Sequence, residues 1–151
     1  MRFALDVCAL IKHLPFDEPG PTVKRQLARA STGVAFNYRS CCRSRSHTDF
    51  TARIGVVSDE ADESLGWLEF IEAAGLLSGN ELTRLVREGD ELAAIFAATL
   101  GTARYYERNR RRNQRQDNSS ADQHGTDHNP QSITQSPDHP ITRSHRRPIR
   151  R

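Results

Sequence analysis

The sequence predicts an all-α protein: an antiparallel, up-and-down four-helix bundle over residues 1–112, followed by a disordered C-terminal tail over residues 113–151. Three observations support this prediction. Apolar residues recur at helical spacing in four successive segments, capping pairs precede two of these segments, and the composition changes abruptly after Arg112. Four helices joined by short connections favour antiparallel packing around one core.

The first two predicted helices lie on either side of a proline-rich stretch. In the first helix, the apolar positions 3, 7, 10, 11 and 14 share one face, and Pro15 with the stretch DEPGP ends the pattern. The second helix runs from Val23 to about Arg45. Its apolar face consists of Val23, Leu27, Ala30, Val34, Tyr38 and Cys41.

The third and fourth predicted helices each follow a capping pair. Ser46 and Asp49 have the spacing of a capping box and open the third helix, over residues 46–77. Ser78 and Glu81 repeat this spacing before the fourth helix. The apolar positions are Phe50, Ile54, Val57, Ala61, Leu65 and Leu68 in the third helix, and Leu82, Leu85, Leu92, Phe96 and Ala103 in the fourth.

The tail after Arg112 has almost no large apolar residues and many Gln, Asn, Ser, Pro and His residues. Such a segment cannot bury enough surface to offset the entropy lost on ordering, so we expect it to be disordered. It ends in the arginine-rich segment RSHRRPIRR. This segment either binds phosphate groups or keeps a polar tail solvated.

Cysteine usage and the N-terminal stretch bear on the compartment. Cys8, Cys41 and Cys42 are odd in number and form no CxxC pair, so neither a disulfide framework nor a zinc site is indicated, and a reduced, cytoplasmic setting fits best. Asp6 and Lys12 interrupt the apolar N-terminal stretch. We therefore expect neither a signal peptide nor a membrane span there.

No motif in the sequence predicts an enzyme. HExxH, P-loop and GxSxG motifs are absent, as is the Glu-x-x-His pair of carboxylate di-metal bundles. We therefore expect no catalytic residues, no metal, no cofactor and no small-molecule substrate. The class that remains is an interaction protein.

Charge is distributed unevenly between the second and third helices, although the whole chain is only mildly basic at +3. The third helix has seven acidic residues against the single base Arg53. Neighbouring helices of opposite charge attract one another, but exposed pairs contribute only about 0.2 to 1 kcal/mol each. Opposite its apolar face, the second helix carries Lys24, Arg25, Arg29, Arg39, Arg43 and Arg45.

A second stripe on the third helix lies away from its core stripe. It places large aromatic side chains beside carboxylates, a combination typical of the centre of an interface. We expect it to form a subunit interface, and the alternative is a surface that packs within a single chain. The stripe consists of Val56, Glu60, Glu63, Trp67 and Phe70.

The segment RQLARASTGVAFNYRSCCRSRSHTDFTARIGVVSDEADESLGWLEFIEAAGLL resembles the bacterial four-helix bundle proteins first noticed in intervening sequences of 23S ribosomal RNA genes. The matching motifs are Gln26 to Arg39, Phe50 to Gly55 and Glu60 to Glu69, and DELAAIFAATLGTAR also matches. The resemblance implies a homo-oligomeric ring, with five subunits the form associated with the family. It also implies similarity to the accessory variability protein of diversity-generating retroelements, which binds nucleic acid and a reverse transcriptase through basic surfaces.

Two hypotheses follow for the function. The leading one is a non-enzymatic bundle that self-associates and binds RNA or DNA electrostatically, and its rival is a structural or adaptor protein whose partner is another protein. Under the first, the six basic residues of the second helix contact either phosphates or the neighbouring subunit's carboxylates. If they serve the subunit interface, phosphate binding falls to the tail and to Arg104, Arg108, Arg110, Arg111 and Arg112.

Overall fold

The computed structural model describes residues 1–124, which form four α-helices and contain no strand. The helices are α1 (Arg2–Leu10), α2 (Gly20–Cys41), α3 (His47–Ala73) and α4 (Asn80–His124), and a 3-10 turn (Ile11–His13) follows α1. The predicted all-helical, four-helix architecture is confirmed for this part of the chain. Most of the predicted tail, residues 125–151, lies outside the described residues.

The end of α2 differs from the prediction. The helix stops at Cys41, so Arg43 and Arg45 lie in the loop before α3 and not on α2. The Ser44 hydroxyl donates to the Cys41 carbonyl at 2.6 Å, and this turn ends the helix. The predicted cap of α3 is confirmed, because Ser46 Oγ accepts the Asp49 N–H at 3.1 Å.

The fourth helix is much longer than its apolar stripe. It continues past Arg112, where the sequence pattern ends the bundle, to His124. Its 45 residues correspond to about 68 Å of helix, against about 40 Å for the 27 residues of α3. Arginine and glutamine are good helix formers, so the polar segment sustains the helix without a core to pack on. Nearly every side chain from Arg104 to Gln116 is exposed.

The core consists of two clusters that differ in the helices that build them. The first cluster uses all four helices, whereas the second is built by α2, α3 and α4 alone. The buried members of the first are Phe3, Val7, Leu10, Ile11, Leu14, Val23, Leu27, Leu68, Ile71, Leu82 and Leu85. Those of the second are Val34, Cys41, Ile54, Val57, Ala61, Phe96, Leu100 and Ala103. We call the part of the bundle around the first cluster the covered end, because α1 lies over it.

Specific contacts set the register between the helices. Across α2 and α3, Arg29 pairs with Glu63 and Ser40 accepts a hydrogen bond from Arg53, so rising residue numbers on one helix meet falling numbers on the other. At the N-terminus of α3, the His47 ring nitrogen Nε2 bonds the Ala103 carbonyl at 2.9 Å. The first turn of α3 therefore lies against α4 where the apolar stripe of α4 ends. None of the described helices combines the length and apolar character needed to cross a membrane.

Candidate nucleic-acid interface

The structure divides the six basic residues that the sequence assigns to the second helix into two groups. At the covered end, Arg29 donates to both carboxylate oxygens of Glu63 at 3.2 and 3.3 Å. The Lys24 ammonium lies 5.2 Å from the centre of the Phe16 ring. Arg25 is exposed on the same part of α2. Two members of this group are thus engaged within the chain.

The other three residues, Arg39, Arg43 and Arg45, lie at the opposite end of the bundle. They occupy the last turn of α2 and the loop that leads into His47. Because His47 bonds the carbonyl of Ala103, this loop is at the same end as the segment of α4 that begins at Arg104. These three arginines are far in sequence from the arginines of the fourth helix, but in the folded chain both sets lie at the same end of the bundle.

We call this part of the bundle the basic end, defined as residues 39–53 together with residues 104–116. Of the 17 basic residues in 1–116 it holds ten, but only two of the 15 acidic ones. The ten are Arg39, Arg43, Arg45, Arg53, Arg104, Arg108, Arg110, Arg111, Arg112 and Arg115, and the two acidic residues are Asp49 and Glu107.

Both acidic residues of the basic end are already paired. Asp49 accepts from Arg53 at 2.7 Å, and Glu107 pairs with Arg111. Within the described side chains, the other eight arginines form no ion pair. Four arginines of α4 line an open hollow of about 430 Å³: Arg108, Arg111, Arg112 and Arg115. The basic end therefore has a large excess of positive charge.

Three groups at or beside the basic end have shifted pKa values. Hydrogen bonds from the Arg53 side chain and the Arg45 backbone hold the pKa of Asp49 below its usual value. Burial raises the pKa of the Cys41 thiol, and the neighbouring Cys42 raises the pKa of Tyr38. At neutral pH, Tyr38 and Cys41 are therefore uncharged, and they add no negative charge to this end.

The acidic-aromatic stripe of α3 lies along the seam between α2 and α3. Glu63 accepts from Arg29 and, at 3.4 Å, from the indole N–H of Trp67. Trp67 is half-buried against the first core cluster, and its ring meets the Phe70 ring edge to face at 5.8 Å. Glu63 and Trp67 thus make contacts within the chain, and their assignment to a subunit interface stays a prediction.

The other three residues of the stripe leave a polar atom without a partner or an apolar side chain exposed within the described chain. The Glu60 carboxylate lies against Gly33 so closely that a Cβ there would be 2.7 Å from its carboxyl carbon. Its Oε2 is buried and has no hydrogen-bond partner among the residues that the structure describes. Val56 and Phe70 remain 46% and 42% exposed. These two apolar side chains are the part of the stripe that is available to another chain.

One feature of the basic end was missed from the sequence. The aromatic side chains of Tyr105 and Tyr106 are exposed among the arginines of α4, with ring centres 5.6 Å apart. Both tyrosines fall outside the apolar stripe of α4, which stops at Ala103, so helical periodicity gave them no role. The letters ARYYERNRRR carry the signal that could have found them, namely aromatic residues interleaved with arginines.

Comparisons with known proteins bear on the fold. No family model matches the chain, and no curated protein matches it. Among solved structures, a protein of unknown function from the S23 ribosomal protein family of Bacteroides thetaiotaomicron is similar, with a TM-score of 0.59 and 20% identity. The match covers 66% of this chain and 92% of that one. At this identity the similarity shows a shared helical fold alone.

Proposed function

We propose that this chain is a non-enzymatic, antiparallel helical-bundle protein that binds the sugar-phosphate backbone of RNA or DNA with its basic end. The observation that carries this proposal is the set of eight arginines at the basic end that have no carboxylate partner among the described residues. They come from two segments that are far apart in sequence, so the patch is a property of the fold.

Phosphate is the ligand that suits such a surface best. A guanidinium group donates two parallel hydrogen bonds to phosphate oxygens and keeps its charge at any physiological pH. The hollow lined by four arginines lies on a helix that projects beyond α3, where a polyanion can approach it without a clash with the bundle. The family name of the structural neighbour, S23 ribosomal protein, points to the same class of ligand.

Salt dependence tests this proposal. Binding of labelled RNA and DNA oligonucleotides is measured by fluorescence anisotropy across a salt series, with the wild type and with the triple variant Arg104→Gln, Arg108→Gln, Arg110→Gln. Each phosphate contact adds about 0.7 to 0.9 to the slope of log K against log salt. We therefore expect the triple variant to reduce the slope by about two to three.

The matched control removes exposed charge at the covered end, in the double variant Arg25→Gln, Arg87→Gln. It is expected to leave the salt slope within about one of the wild type, because neither residue lies at the basic end. If the control variant reduces the salt slope as much as the triple variant does, binding is not localised at the basic end. Wild-type binding without any salt dependence contradicts phosphate recognition altogether.

A second candidate function is self-association through the seam between α2 and α3. It is favoured by the exposure of Phe36, Val56 and Phe70, since the register from Gly33 and Glu60 places Phe36 near the turn that carries Val56. Phe36 and Val56 lie close to the buried Glu60 oxygen that has no partner among the described residues, and Phe70 lies further along the same stripe. Exposed large apolar side chains along one stripe are typical of a surface that meets another chain. The rival hypothesis of an adaptor for another protein uses the same surface.

Light scattering at low and high salt tests the second candidate. An oligomer in the wild type that becomes monomeric in the double variant Phe36→Ser, Phe70→Ser, but not in the triple arginine variant above, supports self-association through the seam. A wild-type protein that is monomeric at every concentration contradicts it and leaves this surface to the adaptor hypothesis.

A further inference from the structure

The basic end also contains an aromatic cleft that phosphate binding does not use. It is an open cleft of about 360 Å³ between the first turn of α3 and the segment of α4 from Ala98 to Tyr106. The rings of His47 and Phe50 contribute one side, and Tyr106 contributes the other. The lining between them is mostly small or apolar, including Ala98 and Ala103. A cleft with such walls suits a flat, partly apolar ring.

The walls on the α3 side are held in place before any ligand arrives. A carbonyl oxygen can only accept, so Nε2 of His47 carries the proton that it donates to Ala103. This bond fixes the imidazole, and the Phe50 ring stacks on it with centres 6.5 Å apart and planes inclined by 29°. Tyr106, by contrast, is 60% exposed. Its outward ring can close on a ligand without disturbing the core.

Arginines lie close in sequence to lining residues on both sides of the cleft. Arg45 lies two residues before His47 in the loop, and Arg110 follows Tyr106 by one helical turn on the same side of α4. A strand that places a flat ring in the cleft therefore passes close to two segments that carry an arginine, one in the loop before α3 and one on α4. This arrangement matches a nucleotide within a strand, which has a planar base flanked by two phosphates.

We propose that the cleft between His47, Phe50 and Tyr106 stacks an unpaired nucleobase, so that the basic end takes single-stranded nucleic acid in preference to duplex. This inference rests on the proposed function, since the arginines supply the attraction for the backbone. In a duplex the bases are stacked on one another and are not available to the cleft, whereas a single strand can turn a base outward. Stacking on an aromatic side chain has little sequence preference, so the chemistry is shared by RNA and DNA.

The test compares single-stranded and duplex oligonucleotides of equal length, as RNA and as DNA, at one salt concentration. The variant Tyr106→Ala is expected to lose about 5- to 150-fold in affinity for single strands, the range for loss of one stacked base, and to keep its duplex affinity. Tyr106→Phe keeps the ring and should stay within about two-fold of wild type. Ile95→Ala removes an exposed apolar side chain of α4 that neither lines the cleft nor lies at the basic end, and it should likewise have little effect on either ligand.

A blocked cleft provides a second, independent measurement. Thr102 lines the cleft and is exposed, so Thr102→Phe should occupy the space without disturbing the core. We expect it to reduce single-strand affinity as Tyr106→Ala does, while circular dichroism shows unchanged helicity. A fluorescent base analogue such as 2-aminopurine in the strand should be quenched by the wild type and not by either cleft variant.

Distinct results overturn the two proposals. If the wild type binds neither single strands nor duplex, the proposed function fails, and the cleft hypothesis fails with it. If the wild type binds with a steep salt dependence but Tyr106→Ala changes nothing, or weakens both ligands equally, backbone binding stands and the stacking cleft is wrong. Stronger loss with RNA than with DNA identifies RNA as the strand for which the cleft is shaped, and the reverse identifies DNA.

Discussion

At the covered end of the bundle α1 occupies the groove between α2 and α4, whereas at the basic end the same groove is open. Arg84 ties α1 to α4 at the covered end through Asp6, at 2.9 Å, and also holds Glu81 and Glu88. Next to the basic end the groove is bordered by Tyr38, whose ring packs on Phe96 but remains about half exposed. At the covered end Arg29 and Arg84 are thus engaged in ion pairs within the chain, whereas eight arginines of the basic end form no ion pair among the described residues.

This contrast also appears in the core. Both clusters contain side chains that are fully buried, so both ends are packed. The first cluster is enclosed by four helices and the second by three, and its α4 members Phe96 and Leu100 keep a small exposed fraction. Stability should therefore depend more on the first cluster, while the second mainly supports the surface above it.

Truncation of one leucine in each cluster should give the largest effect and the clearest separation of the two ends. Leu68 is fully buried in the first cluster and Leu100 is 8% exposed in the second. Both Leu→Ala changes remove burial and open a cavity, which costs about 2 to 5 kcal/mol. We expect Leu68→Ala to lie near the top of that range and Leu100→Ala near the bottom, measured by urea unfolding. Leu5→Ala, at a surface position, should change stability by less than about 0.5 kcal/mol.

Equal losses for Leu68→Ala and Leu100→Ala would show that the open groove does not weaken the second cluster. The two ends would then differ in the pairing of their charged residues but not in the stability of their cores.

Removal of one arginine from each end should have a smaller and more local effect. Arg84→Gln breaks four charge-assisted hydrogen bonds to three carboxylates, including the one to Asp6 of α1, so amide exchange in α1 should accelerate. Arg104→Gln removes a side chain that forms no ion pair within the described residues, and we expect exchange there to be unchanged. Hydrogen exchange with mass spectrometry measures both. If exchange accelerates around Arg104 in Arg104→Gln but stays unchanged in α1 in Arg84→Gln, then Arg104 and not Arg84 stabilises the fold.

The smallest expected effect is a dependence of stability on acidic pH. The pKa values of Asp49 at the basic end and Glu81 at the covered end both lie below their usual values, because each carboxylate accepts hydrogen bonds from an arginine. A lowered folded-state pKa stabilises the fold above the unfolded-state value, near 4, and this contribution disappears as the pH falls through the folded-state pKa.

The stability difference between wild type and Asp49→Asn should therefore shrink as the pH falls from about 5 to below 3, and Glu81→Gln should behave in the same way. Chemical unfolding across this pH range, with two-dimensional NMR titration of the carboxyl groups, checks both. A difference that grows at low pH would mean that neither carboxylate is held by its arginine.

The local features of the fold could be predicted from the sequence. The apolar spacing of the four helices and the Ser46–Asp49 cap involve residues a few positions apart, and both are confirmed. The prediction placed the end of α2 too far along the chain. The Ser44 hydroxyl donates to the Cys41 carbonyl and ends the helix there, and the spacing of apolar residues contains no information about such a hydrogen bond. The apolar stripe of α4 likewise stops long before the helix does, since helix formation and burial are different properties.

The candidate site could be predicted only in pieces. The arginines of the second and fourth helices were both identified, but their union depends on the contact between His47 and Ala103, which are 56 positions apart. Trp67 was assigned to a surface away from the core, and it is half-buried because Glu63 and the edge of the first cluster hold it there. Contacts between different helices decide which residues meet and which become buried, and the residue spacing within one helix does not predict those contacts.

The length of α4 has a consequence for the size of anything bound along it. Since the segment after Ala103 is one continuous helix anchored at its base by His47, the spacing of its arginines is set by the rise of the helix and not by a flexible linker. From Tyr106 to Arg115 this spacing corresponds to about 13 Å, and each added or deleted turn changes it by about 5.4 Å. Under the proposed binding of a strand, the length of strand that the projecting helix contacts would therefore change in fixed steps, while the bundle that carries the helix stays the same.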